Sequence, residues 1–230
     1  MFTGIIRHTG QLTFLEALKP EENVLDNALN IEISSELFKT NKGSMVGDSI
    51  SVQGVCLTVV EPYSCQEGKA IFNISSETLR RTTFEGLYNN QSKNPLNKIL
   101  VHLERSLTLG DQIDGHLVYG HVDTIAEVTS IKEEGETWRF EFTLNSEAYP
   151  FLAEKGSISI DGVSLTIGEV SLVEKDKREG GSEVIFGVYI IPHTYHETCF
   201  SSYELGSIVN IEYDPLARYA VHALKSLRQN

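Results

Sequence analysis

Cysteine is scarce in this chain of 230 residues: Cys56, Cys65 and Cys199 are all there are. They form no CxxC pair and no Cys/His spacing of a zinc site. An odd, sparse set also excludes a secreted disulfide framework. Positive charge is short. Lys and Arg number 19 against 32 Asp and Glu, which leaves −13. That balance argues against sequence-independent binding of nucleic acid, which rests on clustered cations, and against an anionic membrane surface. No apolar stretch approaches the roughly 18–20 residues of a spanning helix. GxGxxG and P-loop motifs are missing. The opening MFTGIIRHTGQL lacks the basic segment, apolar stretch and cleavage site of a signal peptide, and reads as a strand from its first residue. These features predict a reducing, cytoplasmic setting, with neither nucleic acid nor membrane as partner.

What the chain does have is a copy of itself. SISVQGVCLTVVE (Ser49 to Glu61) matches SISIDGVSLTIGE (Ser157 to Glu169), with eight of thirteen positions identical. Three weaker matches follow the same order. FTGIIRHTGQL resembles VYGHVDTIAEV, pairing Gly4 with Gly120 and Ile5 with His121. NISSETLRRTTF resembles YIIPHTYHETCF, pairing Thr78 with Thr194. LVHLE resembles IVNIE, pairing His102 with Asn210 and Glu104 with Glu212. The chain therefore divides into two related units of ordinary domain size, 1–116 and 117–213, followed by a tail, 214–230.

Each unit is rich in strand signals. SISVQGVCLTVV alternates with period two, and VIFGVYII and SIVNIEY read likewise. Many short strands broken by Gly and polar turns predict a small closed antiparallel barrel in each half. Helical signals are confined to SSELFKT, SETLRRTTF and SEAYPFLAEK. LYNNQSKNPLNK and EKDKREGGSE read as surface insertions. In the tail, Asp214 and Pro215 suit a cap and a first helical position. Leu216, Tyr219, Ala220, Ala223, Leu224 and Leu227 then form one apolar stripe. Neither barrel needs that helix, which points to a contact between subunits.

Five blocks in order carry a resemblance: MFTGII, GVCLTV, GHLVYGHVD, IDGVSLT and VNIEYDP. Together they resemble riboflavin synthases of the two-repeat lumazine-binding type. The resemblance implies an all-β fold of two homologous six-stranded antiparallel Greek-key barrels, with short helices and a C-terminal helix. It implies a transferase that dismutates two molecules of 6,7-dimethyl-8-ribityllumazine to riboflavin and 5-amino-6-(D-ribitylamino)uracil. It implies no metal and no redox cofactor. It further implies a homotrimer joined through C-terminal helices, each reacting site being shared by the first barrel of one subunit and the second barrel of a neighbour. Association with lumazine synthase is another partner that the family suggests. Lumazine- or flavin-holding antenna proteins share the scaffold and are the rival reading.

The family pattern also nominates residues. Cys56, His121, Ser49, Ser164, Thr166, Asp214 and Lys155 are the expected catalytic set. Expected around the substrate are Gly4, Ile5 and Ile6; Cys56, Leu57 and Thr58; and the run Asn73, Ile74, Ser75, Ser76, Glu77, Thr78. In the second repeat they are Gly120, His121 and Val122; Lys155; Ser164, Leu165 and Thr166; and Ile191, Pro192, His193, Thr194, Tyr195, His196. Each has a plainer reading. A buried Cys is commonly a small core residue. Asp before Pro is an ordinary helix cap, and Lys155 suits a helix end. The reacting molecules are identical yet act as donor and acceptor, so the paired pockets must differ. They do: Cys56 is matched by Ser164, His121 by Ile5, and Asp214 by Ser106. An imidazole neutral near pH 7 can take a proton from the 7-methyl group; His116 is a second candidate for that work. His102 stands where the family pattern has Asn and is assigned no role.

Overall fold

The computed structural model describes residues 1–15, 29–39, 45–62, 67–94, 98–174 and 181–227. The first barrel comprises β1 (His8–Phe14), β2 (Leu29–Ser34), β3 (Ser49–Val52), β4 (Val55–Pro62), β5 (Lys69–Ile74) and β6 (Ile99–Arg105). The second comprises β7 (Thr124–Glu134), β8 (Thr137–Asn145), β9 (Ser157–Ile160), β10 (Val163–Val173), β11 (Glu183–Ile190) and β12 (Ile208–Tyr213). All pairings are antiparallel, and the order β1-β2-β5-β4-β3-β6 recurs as β7-β8-β11-β10-β9-β12, each closed on itself. Closure removes the unpaired edges that a short sheet would expose. Both copies bend at the same place, with bulges at Val59/Glu61 in β4 and Ile167/Glu169 in β10.

Alternation fills the barrels. In β2 every second side chain points inward, and Leu29, Ile31 and Ile33 meet Phe72, Ile74 and Val101 in the first core. The second core stacks Phe142 on Phe186 at 5.3 Å and sets Phe140 edge-on to Phe200 at 5.2 Å.

Several local expectations are corrected. Met1–Arg7 is not a strand: Phe2 makes a lone antiparallel bridge with Val118, and β1 starts only at His8. The reason is Gly4, whose φ of +75° turns the chain out of strand geometry. SETLRRTTF is two helices, α1 (Ser76–Arg81) and α2 (Phe84–Lys93), separated by an extended Thr82. Most of LYNNQSKNPLNK is helix, and the stretch from Phe84 to Leu100 is longer than its counterpart from Phe200 to Ile208, as an insertion requires. Phe84 and Tyr88, four residues apart, bury one face of α2, and Tyr88 meets Phe14 edge-on at 5.2 Å. SEAYPFLAEK holds only a 3-10 turn, Ser146–Phe151, because Pro150 lacks a backbone donor and Leu152 is extended. SSELFKT gives a 3-10 turn at Glu36–Lys39. A helix unmarked in the sequence, α3 (Pro192–Glu197), lies in the matched block. Much of EKDKREGGSE, and Cys65, lie outside the described residues.

The tail is helical as expected: α4 spans Pro215–Leu227, with the Asp214 carboxylate accepting from the Leu216 N–H at 2.8 Å. Buried Pro215, the Arg218–Asp123 ion pair at 2.9 Å and Lys225 over the Phe151 ring attach it to the second barrel. Its stripe faces away: Leu216, Tyr219 and Leu227 are about three-quarters exposed. No helix among the described residues is long and apolar enough to cross a membrane.

Candidate active site

Two carboxylates, Glu212 buried and Glu104 half-buried, organise the centre of the molecule. Glu104 on β6 accepts from the Thr3 N–H at 2.7 Å, the Thr3 hydroxyl at 2.7 Å and the Gly4 N–H at 3.0 Å. Glu212, its counterpart on β12, accepts from the N–H groups of Tyr119 at 2.8 Å, Gly120 at 2.7 Å and His121 at 3.1 Å. Burial pushes both carboxyls up, while the donors pull the other way. The loops so gathered then cross to the opposite barrel. The Gly4 carbonyl accepts from the Ser164 N–H at 2.8 Å, and the Gly120 carbonyl accepts from the Cys56 N–H at 2.9 Å. Neither position has room for a side chain. A Cβ on Gly4 would lie 2.6 Å from the Ser164 Cβ, and one on Gly120 would lie 2.6 Å from the Cys56 nitrogen.

The crossing decides which residues meet. Ile6 enters the core of the second barrel, and Val122 packs against the core of the first. Ile5 consequently stands beside Ser164, and His121 follows the Gly120 whose carbonyl meets the Cys56 N–H. A cleft of about 340 Å³ opens there in the second barrel. Its floor is Ser157, Ser164 and Thr166 on β9 and β10; its sides are Ile191 and Thr194 at α3, Tyr189 on β11, Ile5, and Asp114 with Gly115. The matched residues of the first barrel are Ser49, opposite Thr58 in register, Cys56, which pairs with Ser51 further along β4, and Thr78 on α1. Cys56 and Ser49 are half-buried there, while Thr58 and His121 are exposed. The Ser75 hydroxyl caps α1 by accepting from the Thr78 N–H at 3.2 Å.

The two matched sets of residues are chemically unequal. In the second, His116 Nδ1 lies 2.7 Å from the Ser164 Oγ, while its Nε2 is buried without a partner. Burial pushes the His116 imidazole down and Asp214 pulls it up, which favours a neutral ring that can take a proton. In the first, a thiol replaces that hydroxyl and an exposed imidazole replaces Ile5.

Two lumazine binding domains match the sequence, over residues 3–105 and 119–214. The riboflavin synthase of Brucella abortus (strain 2308) is 37% identical over 222 residues, covering 96% of each chain. That of Chlamydia pneumoniae is 38% identical over 229 residues, covering 99% of this chain and 96% of its own. The chain belongs to the riboflavin synthase family. Among solved structures, LumP complexed with riboflavin superposes with a TM-score of 0.69, at 20% identity, over 93% of this chain and 99% of that one. LumP complexed with 6,7-dimethyl-8-(1'-D-ribityl) lumazine gives 0.67 at 21%, over 92% and 98%. At such identity the likeness is one of fold.

Within this riboflavin synthase fold, the expected site residues fall into three groups. Ile5, Ser164, Leu165, Thr166, Ile191 and Thr194 share the second-barrel cleft. Lys155, exposed and left-handed at φ +63°, does not line it; its N–H reaches the Ile167 carbonyl at 2.8 Å. Ile6, Leu57 and Ile74 turn their side chains into the cores, so only their backbone is available to a ligand. The remainder lie outward or along the walls. Asn73 donates to Asn30 at 3.2 Å, and Glu77 pairs with Arg81. Ser76 is half-buried at the start of α1. Tyr195 stacks on Trp138 at 3.9 Å, with His196 edge-on to the indole, while Pro192 and His193 are exposed. Asp214 caps α4 and faces His116 electrostatically, so cap and site coincide.

Sequence reasoning missed Tyr189, Asp114 and Gly115 as cleft residues, and Glu104 and Glu212 as the residues that shape both loops. The glutamates left a signal: an acid at the same place in both copies of an otherwise apolar strand. Cys199 is no rival for Cys56, because burial and the nearby Asp161 push its thiol up to about 12.

Proposed function

We propose that the chain is a riboflavin synthase that binds two molecules of 6,7-dimethyl-8-ribityllumazine in its unequal pockets and moves a four-carbon unit from one to the other. The products are riboflavin and 5-amino-6-(D-ribitylamino)uracil. Two substrate molecules contain the same atoms as the two products, so the reaction needs no outside oxidant or reductant. What it needs is orientation and proton transfer. Fixing both rings in one assembly can lower the barrier by about 7–11 kcal/mol in favourable cases. The observation that carries the reading is the crossed pair of loops, which gives one scaffold two related sites with different groups.

In the first-barrel site, Cys56 places a thiol beside the ring and His121 takes a proton from the 7-methyl group. In the second, Ser164 with His116 performs the matching transfer. Ser49, Ser157, Thr58 and Thr166 offer hydroxyls, and Lys155 and Asp214 supply charge. The functional units are 1–116, 117–213 and the helical tail 214–230. A reducing, cytoplasmic setting accords with the free thiols of Cys56 and Cys199. The exposed stripe of α4 supports a homotrimer in which the first-barrel site of one subunit faces the second-barrel site of the next.

The decisive assay mixes the protein with the lumazine in buffer without cofactor and follows riboflavin fluorescence. Turnover is expected; stoichiometric binding with no product would instead indicate an antenna protein. Cys56→Ser should lower kcat about hundredfold at unchanged melting temperature, and a wild-type rate in that variant removes the thiol from the mechanism. Replacing Leu216, Tyr219, Leu224 and Leu227 by serine keeps Arg218 on Asp123. Sedimentation of that variant should give monomers with little activity, and an intact trimer would refute the role assigned to α4.

A further inference from the structure

One buried residue outside the pockets joins the two barrels through a mirrored pair of bonds. The side chains at matched positions of β6 and β12, His102 and Asn210, both cross the boundary. His102 Nδ1 lies 2.8 Å from the Asp161 carbonyl, and Asn210 Nδ2 donates to the Gln53 carbonyl at 2.9 Å. Each then takes one backbone N–H from the other barrel: His102 Nε2 accepts from Cys199 at 2.6 Å, and Asn210 Oδ1 accepts from Thr83 at 2.9 Å. A carbonyl only accepts and an amide N–H only donates. The ring is therefore the neutral Nδ1–H tautomer, and imidazole here reproduces the donor and acceptor of a carboxamide.

The residues so held lie at the ends of the pocket helices. Cys199 follows α3, and between them the Thr198 hydroxyl donates to the Thr194 carbonyl at 2.6 Å. Thr194 lines the second-barrel cleft. On the far side α3 is fixed by Tyr195 stacked on Trp138. The first repeat has the same linkage, with the Thr82 hydroxyl donating to the Thr78 carbonyl at 2.7 Å.

We propose that His102, a residue of the first barrel, is a positioning residue for the second-barrel lumazine cleft: through the N–H of Cys199 it fixes α3 and so places Thr194. The inference rests on that cleft being a substrate site. His102 touches no ligand and takes no part in the chemistry.

The test uses wild-type protein, His102→Leu and His102→Asn, titrated with 6,7-dimethyl-8-ribityllumazine well below their melting temperatures. His102→Leu leaves the Cys199 N–H buried and unpaired, and should weaken binding about tenfold. His102→Asn restores a donor and an acceptor, as Asn210 does, and should return affinity to within about threefold of wild type. A packing role alone would lower both melting temperatures and leave the affinity of the folded protein unchanged. Folded His102→Leu with wild-type affinity overturns the proposal, as does folded His102→Asn that binds tenfold more weakly. Nitrogen NMR of the wild-type ring gives a readout free of any folding defect. The Nδ1–H tautomer is expected at pH 7, and an Nε2–H tautomer would contradict the arrangement. Wild-type protein that binds no lumazine would sink the functional reading and this inference with it, whereas the Leu result sinks the inference alone.

Discussion

Glu212→Ala should destabilise the protein by about 3–5 kcal/mol and leave the folded fraction nearly inactive. Three backbone N–H groups, those of Tyr119, Gly120 and His121, converge on this one carboxylate. Removing it orphans all three at once; the buried Gly120 N–H costs about 1–3 kcal/mol, and the part-buried N–H groups of Tyr119 and His121 add less each. The loop that loses them also places the Gly120 carbonyl on the Cys56 N–H and carries His121 as its next residue. A fall in kcat/KM of at least about hundredfold is expected, since small misplacements of reacting groups are that costly. Glu212→Gln keeps one acceptor oxygen but points an NH₂ at an N–H, and should fall between the two. Urea denaturation and steady-state turnover check both parts. A stable, active Glu212→Ala protein would mean that the loop is held by something else.

Gly54→Ala is the second large effect. Gly54 has φ +77°, and a Cβ built there lies 2.5 Å from the Gly162 nitrogen and 3.0 Å from the Asp161 carbonyl carbon. Both obstacles are backbone, so no rotamer change relieves them. Gly162, its repeat mate, faces it with φ +85°. The barrels touch glycine to glycine, and a methyl group must wedge them apart. That would pull on the His102 and Asn210 bonds described above. A loss of more than about 3 kcal/mol is expected, against about 1 kcal/mol for Gly135→Ala, which is also left-handed (φ +65°) but meets open space. Equal urea midpoints for the two variants would show that the barrel contact yields.

Much of this architecture can be read from residues alone, and the failures have physical causes. The period-two blocks and their duplication specify two barrels, because alternation fixes which face is buried and repetition fixes how often. The block around Ser164 also marks the second-barrel cleft. What they do not reveal is that each opening loop serves the other barrel, since no local pattern records which carboxylate collects an N–H. The polar run NNQS conceals α2 because its apolar contacts come only from Phe84, Leu87 and Tyr88 in its first half. His102 looks like a departure from pattern until both of its nitrogens are seen bonded. Its buried ring, with a pKa lowered to about 4, behaves as an uncharged stand-in for an amide.

The mirrored contact at Gly54 and Gly162 has a genetic consequence. Were the two barrels separate copies of one polypeptide, every substitution near their axis would occur twice, and the same side chain would have to serve both the Gln53 and the Asp161 carbonyl. Covalent tandem linkage removes that constraint. Either half can now drift without dragging its twin along, which is how a histidine came to sit across from an asparagine, and a thiol across from an alcohol.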